Sequence, residues 1–448
     1  MHRSATLLSF AAIAGLGLVS ACGTSSGPAG SSGGSGLAGC HGTITVATDL
    51  PLTGGDSTDG PFPQQGAQLA VDQANTAKTL GGCTLNYVSK DDSSVAKNGH
   101  DPAQGAANII ALGSDSSVVG VVGPFNSSVA EAEIPKASAA HLALISPANT
   151  NPCLTAQAVP QTVCGITTDS LYNGPHTYFR VIGTDITQGE ILAYIATKQL
   201  NLTKAYVFDD QEAYGAGLAS LFSQHFTSDG GTVVGKASLP GSTTDFSTQI
   251  SNVQSSGAQL IFFGGTSGNG CGLVRRDEGK AGLTLPLLGG DGCQDTKFIT
   301  DANSGSNTSE AENSQATSAP DASKLSSAQA FYTAFASAYA SKSAPYNDGT
   351  NEPYSPFGYD AMNILIQAIK AVLVNNGNQP PSSSMAFRDA VVAQLHNTSY
   401  DGAIGHTAFD QNGDTTNPFF TLYKVTSAKW VGVSAYQVDS SGNVSAKS

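Results

Sequence analysis

Charge is scarce in this chain. Lys, Arg, Asp and Glu make up 12% of its 448 residues, about half the usual share. Basic residues are scarcer still: 20 Lys and Arg stand against 34 Asp and Glu, a formal net charge of −14. Phosphate binding needs a basic surface, so this balance excludes nucleic acid as a partner. It equally excludes a polybasic patch on anionic lipid. There is no C-x-x-C and no H-E-x-x-H, and no further Cys or His stands at ligand spacing from Cys40 and His41. No metal and no cofactor are expected.

Catalytic signals are equally thin. Gly23 to Gly27 matches G-x-S-x-G formally, but without the strand-to-helix context a nucleophile elbow needs. Ser94 to Lys97 matches S-x-x-K, yet S-D-N and K-T-G partners are absent. Asp410, Asn412 and Asp414 hint at a calcium loop, but glycine comes too early and no Glu closes it. No Ser-His-Asp set stands out, so the chain is not expected to be an enzyme.

What is present is a modular exported chain. The apolar stretch 5–19 follows Arg3; at 15 residues it is too short to span a bilayer comfortably and fits a secretion signal over 1–21. It ends in Val19-Ser20-Ala21-Cys22, similar to the bacterial lipobox, in which the cysteine carries the lipid. In residues 23–39, 12 of 17 are Gly or Ser, a flexible tether reaching roughly 20–25 Å. Residues 22–39 are thus expected to be a lipidated Cys22 and its tether, holding a soluble body outside the cytoplasm at the membrane.

An odd total of seven cysteines leaves six besides Cys22. Six allow fifteen pairings. Export permits disulfides, and sequence neighbourhood favours Cys40–Cys83, Cys153–Cys164 and Cys271–Cys293.

From residue 43 the apolar pattern switches period repeatedly. Residues 43–48, 84–89, 118–122 and 142–145 read as strands, with helices over 64–75, 104–112 and 129–140 between them. This alternation signals βαβ units and a mostly parallel sheet. It restarts at 178–181 and 186–200 and continues to 285–288. Residues 301–326 are polar and read as a crossover or surface excursion. Helices resume over 327–341, 359–374 and 384–395, followed by hairpin-like segments near 406–409 and 419–433. The fold class is α/β, with two doubly wound lobes and a ligand cleft between them. Lobe 1 is expected to take 40–183 plus about 311–405, and lobe 2 to take 184–310 plus about 406–448.

In open α/β sheets, ligands sit beyond the carboxyl ends of strands, where helix N-termini offer free N–H groups. After the third strand come Ser127 and Ser128, N-cap candidates that could hold a carboxylate; a plain cap is the competing reading. Tyr214 follows a strand of the second lobe and could lie over the cleft. Asp291 stands between glycines at a strand end, where it would suit an ammonium group, although a simple turn is the alternative.

In order and spacing, ITVATDLPLTG, GVVGPFNSSVAEAEIP, LISPANT, AYVFDDQEAYGAGLA, LIFFGGT, LLGGDG and GHTAFDQNGD resemble substrate-binding proteins of branched-chain amino acid ABC transporters. The resemblance runs over nearly all of 42–433 and implies the type I periplasmic-binding fold, with three crossings between lobes. It implies that Ser127, Ala148 and Thr150 meet an amino acid's head group from lobe 1. It also implies Tyr214 as a cleft tyrosine and Asp291 as the partner of the α-ammonium. At the GGT segment the family often has an aromatic residue, whereas Thr266 and Ser267 stand here. The implied function is an extracytoplasmic solute receptor for an ABC importer, with a membrane permease as partner and the body a monomer. A ligand-sensing partner of a membrane receptor would use the same fold.

Overall fold

The computed structural model describes residues 37, 39–155, 168–305, 309–339 and 353–447. The expected signal, the tether as far as residue 36, Cys22 and Cys164 lie outside the described residues.

The first lobe is built on β1 (Gly42–Leu50), β2 (Cys83–Asp91), a small hairpin β3–β4 (Ser93–Ser94 and Gly99–His100), β5 (Val118–Val122), β6 (Ala143–Ser146) and β7 (Tyr178–Arg180). The main sheet runs β2-β1-β5-β6-β7, with every pairing parallel. Helices α1 (Pro61–Thr76), α2 (Pro102–Ser114) and α3 (Ser127–Ala139) connect them. Every residue of β5 is buried, as a continuous apolar run in a parallel sheet covered on both faces should be.

The second lobe contains α4 (Asp185–Tyr194), β8 (Lys204–Asp209), α5 (Ala213–Ser228), β9 (Thr232–Ser238), α6 (Ser247–Ser256), β10 (Leu260–Gly264), α7 (Cys271–Lys280), β11 (Leu287–Gly289), α8 (Thr296–Ala302) and β12 (Gln315–Ser318). The chain returns to lobe 1 as α9 (Gln329–Tyr339), α10 (Ser355–Asn375), α11 (Ser384–Leu395) and the hairpin β13–β14 (Ser399–Gly402 and Gly405–Ala408). It ends in lobe 2 as β15 (Phe420–Thr426), β16 (Lys429–Val438) and β17 (Val444–Ala446). The second sheet runs β17-β16-β15-β12-β11-β10-β8-β9, parallel from β12 to β9 and antiparallel beyond. The chain therefore crosses between sheets three times: after β7, after β12 and after β14.

One departure from the sequence reading lies in 301–326. It is no mere surface excursion: β12 sits inside the second sheet, with Ala316, Thr317 and Ser318 fully buried. The return to lobe 1 follows β12, later than residue 311. Short hydroxyl side chains in a buried strand carry no apolar signal, so periodicity could not find it.

The helix α10 is long and apolar, and it is core. It lies against α1 at two glycines: a Cβ on Gly66 would strike the Ser355 carbonyl, and one on Gly358 the Pro63 carbonyl. Arg388 of α11 ties the far end of lobe 1. Its guanidinium donates to the carbonyls of Gly113, Asp115, Val118 and Ala140 at 2.7–3.1 Å.

Cys40–Cys83 and Cys271–Cys293 are bonded, with Cα separations of 5.1 and 5.8 Å. Cys153 is also disulfide-bonded. The first bridge staples the start of β1 to β2, and the second joins α7 to the turn after β11. Loops of 43 and 22 residues each correspond to about 3–4 kcal/mol of unfolded-state entropy in the chain-closure account. Thermal unfolding should shift down clearly in reductant; an unchanged midpoint with thiols confirmed reduced would refute that contribution.

Candidate functional site

The carboxyl ends of β5 and β6 face those of β8, β10 and β11 across the lobes. Between them lies a narrow cleft. Ser127, Ala148, Thr150, Tyr214 and Asp291 all line it. Five positions from four separate loops thus converge on one space.

On the lobe 1 side, β5 is followed by Gly123 and, after a cis peptide bond, Pro124. Asn126, not Ser127 or Ser128, is the N-cap of α3, and its side chain makes no capping hydrogen bond. Ser127 is the first helical residue, buried at the positive end of the helix. The turn after β6 is locked from beneath. Ser146 Oγ accepts the N–H groups of Ala148 and Asn149 at 3.2 and 2.8 Å, and Tyr178 donates to Asn149 Oδ1 at 2.8 Å. With its N–H taken, Ala148 can offer a ligand its carbonyl. The Asn126 amide oxygen is buried on the cleft wall with no hydrogen-bond partner, and the Thr150 hydroxyl is buried there beside the Asp185 carboxyl.

On the lobe 2 side stands Asp291, at the first residue of a short turn and buried. Its Oδ1 accepts from Gln188 Nε2 at 2.8 Å and from the Tyr214 hydroxyl at 2.9 Å. Its Oδ2 accepts from the Tyr354 hydroxyl at 3.0 Å. A carboxylate offers about four lone-pair sites; these side chains take three, and the residue's own N–H is a further neutral donor. All three side-chain donors are neutral. Burial raises the carboxyl's pKa, and the three hydrogen bonds only partly offset this. A buried carboxylate held this way is short of a cation. Tyr214 is fixed in turn: the Gly292 N–H donates to its hydroxyl at 3.2 Å. Gly290 passes so near that a Cβ there would strike the same hydroxyl.

The lobes also touch around the cleft. Tyr354, just before α10, reaches Asp291 from lobe 1. Asn151 Nδ2 donates to the Ala213 carbonyl at 2.9 Å, and Thr58 Oγ1 to Asp295 Oδ2 at 3.2 Å. His100 Nε2 lies 4.0 Å from Glu212 Oε2.

Several cleft residues were not singled out from sequence. Gln188 had a usable signal: a polar residue at helical spacing from Ile191 and Leu192, on the face that the structure buries. Tyr354 had none, because it belongs to no periodic run. His100 in β4 and Asn269 in the turn before α7 carried no signal of their own.

This architecture has relatives. The family model described as periplasmic binding protein matches residues 43–429. The chain belongs to that family. A Leu/Ile/Val-binding protein homolog from Brucella melitensis is 29% identical over 391 residues, covering 87% of this chain and 93% of its own. A leucine-binding protein structure from Thermotoga maritima superposes with a TM-score of 0.71 at 23% identity, covering 88% and 98% of the two chains. A branched-chain amino acid transporter substrate-binding protein from Streptococcus pneumoniae, solved with isoleucine, gives 0.69 at 23% identity, covering 88% and 100%. This periplasmic binding protein has the extracytoplasmic ligand-binding role of its family, whose members bind substrates rather than turn them over.

Proposed function

We propose that this binding protein captures a free amino acid between its lobes and delivers it, as a monomer tethered through lipidated Cys22, to a membrane permease. The observation that carries the reading is Asp291: a buried carboxylate at a strand end, held only by neutral donors, on the wall of the cleft between the lobes. An α-ammonium supplies the missing cation as a charge-assisted hydrogen bond. The α-carboxylate then lies against the N-terminus of α3, accepting from the Ser127 and Thr150 hydroxyls. The Ala148 carbonyl is placed to share the ammonium, and Tyr214 closes the cleft from lobe 2. Contacts available only when both lobes meet the ligand bias the protein toward closure.

Titration calorimetry against the twenty free amino acids tests this. At least one should bind tightly and without turnover, and its decarboxylated or N-acetylated analogue should not. Equal binding of the N-acetylated analogue would remove Asp291 from its role. Cys22→Ala should move the protein from the membrane to the soluble fraction; unchanged partition would remove the anchor.

A further inference from the structure

Resting on the amino-acid reading above, we infer that the ligand's side chain is polar and bears N–H donors, unlike a branched aliphatic one. Among the described residues no Leu, Ile, Val or Met lines the cleft, and beyond the head-group residues Phe125 is its one large apolar side chain. The rest of that wall is Asn126, Ser128, His100, Asp210, Glu212, Thr266 and Asn269.

Asp210 follows β8 and is buried. Its Oδ1 accepts the Glu212 N–H at 3.1 Å. Its Oδ2 accepts the Thr266 N–H at 3.3 Å and Asn269 Nδ2 at 3.0 Å. These donors are neutral, and burial pushes the carboxyl up to about 6. The cation nearest this wall is already engaged: His100 Nδ1 is 2.8 Å from Asp56 Oδ2, and the His100 N–H donates to the same oxygen at 3.0 Å. The wall thus sets two carboxylates, Asp210 and Glu212, against one imidazole, His100, which Asp56 already engages and whose Nε2 lies 4.0 Å from Glu212 Oε2.

The same residues mark a passage. A larger groove of about 1660 Å³ between the lobes shares His100, Asp210, Glu212 and Asn269 with the inner cleft. A side chain that extends away from Asp291 past these four groups reaches an aqueous space edged by hydroxyls, glycines, Asp56 and the lysines Lys97 and Lys297. A leucine side chain gains its affinity by leaving water for apolar walls. Here it would strip water from polar groups and return no hydrogen bond. An ammonium, guanidinium or carboxamide satisfies them.

The test is a calorimetric panel on the full chain: Lys, Arg and ornithine as cations, Gln and Asn as amides, Leu, Ile and Val as aliphatics. The best polar ligand should bind at least 100-fold tighter than any aliphatic. Which polar arm leads separates ammonium or guanidinium from amide. Asn269→Leu, checked for an unchanged unfolding midpoint, should reduce the polar-to-leucine affinity ratio at least tenfold. Leu, Ile or Val binding as tightly as the polar set, with affinity still lost in Asp291→Asn, overturns this inference and leaves the amino-acid reading standing. If no amino acid binds the unmodified protein, both fall.

Discussion

Asp291→Asn should lower affinity for any amino-acid ligand by about 30- to 1000-fold, which is about 2–4 kcal/mol. The substitution keeps size and leaves Gln188, Tyr214 and Tyr354 with a polar neighbour, so folding should survive. What it removes is the anion. A buried carboxylate ringed by neutral donors is costly to hold, and that cost is recovered when an ammonium arrives. Because burial raises the carboxyl's pKa, binding should weaken as pH falls and the proton competes with the ligand. Calorimetry at pH 7.5 on the two proteins checks the size of the loss. An affinity within threefold of the unmodified protein would refute the assignment.

The second large effect is on stability. Asp49 at the end of β1, Asp92 beside it and Glu133 on α3 bring carboxylate oxygens within 4.8 Å of one another. Asp49 Oδ1 accepts from Asn108 Nδ2 at 2.9 Å; beyond the contact of Asp49 with Glu133, the other oxygens of the three have no hydrogen-bond partner. Burial pushes Asp49 up to about 7, and neighbouring Asp91 adds to this, while Glu133, Asn108 and Lys90 work against it. Asp92 is raised by burial and by Asp49, Asp56, Asp91 and Asp101. Glu133 is raised by burial and by Asp49 and Asp92.

The folded protein therefore holds these protons more tightly than the unfolded chain. The corresponding stability is full below the ordinary carboxylate range and is lost as pH rises through about 7 for Asp49. Between pH 5.5 and pH 8 Asp49 alone accounts for about 2 kcal/mol. Denaturant unfolding should show a protein more stable at pH 5.5. Glu133→Gln should be more stable than the unmodified protein at pH 8, with a shallower pH dependence. An unmodified protein more stable at pH 8, or an unchanged slope in Glu133→Gln, would contradict the shared-proton account.

Local periodicity made most of the architecture legible. The run Val118–Val122 and the helix Ser384–Leu395 were readable to the residue, because buried strands and amphipathic helices leave patterns within their own segments. β12 was hidden, since Gln315–Ser318 is buried without being apolar. The cleft divided along the same line. Ser127, Tyr214 and Asp291 follow strands directly, so topology alone makes them candidates, and the structure brings them to one cavity with Ala148 and Thr150. Gln188 and Tyr354 reach Asp291 from 103 and 63 residues away. Only the folded lobes create that contact. The Asp49–Asp92–Glu133 cluster is another such product: β1, the loop after β2 and α3 carry one carboxyl each, and none looks unusual in its own segment.

The most direct test of the central claim is a structure of the protein with its bound amino acid. The account predicts the ligand's ammonium nitrogen within hydrogen-bond distance of Asp291 Oδ2, and its carboxylate on the hydroxyls of Ser127 and Thr150. A ligand seated between the lobes with Asp291 farther than one side chain from every ligand atom would contradict it.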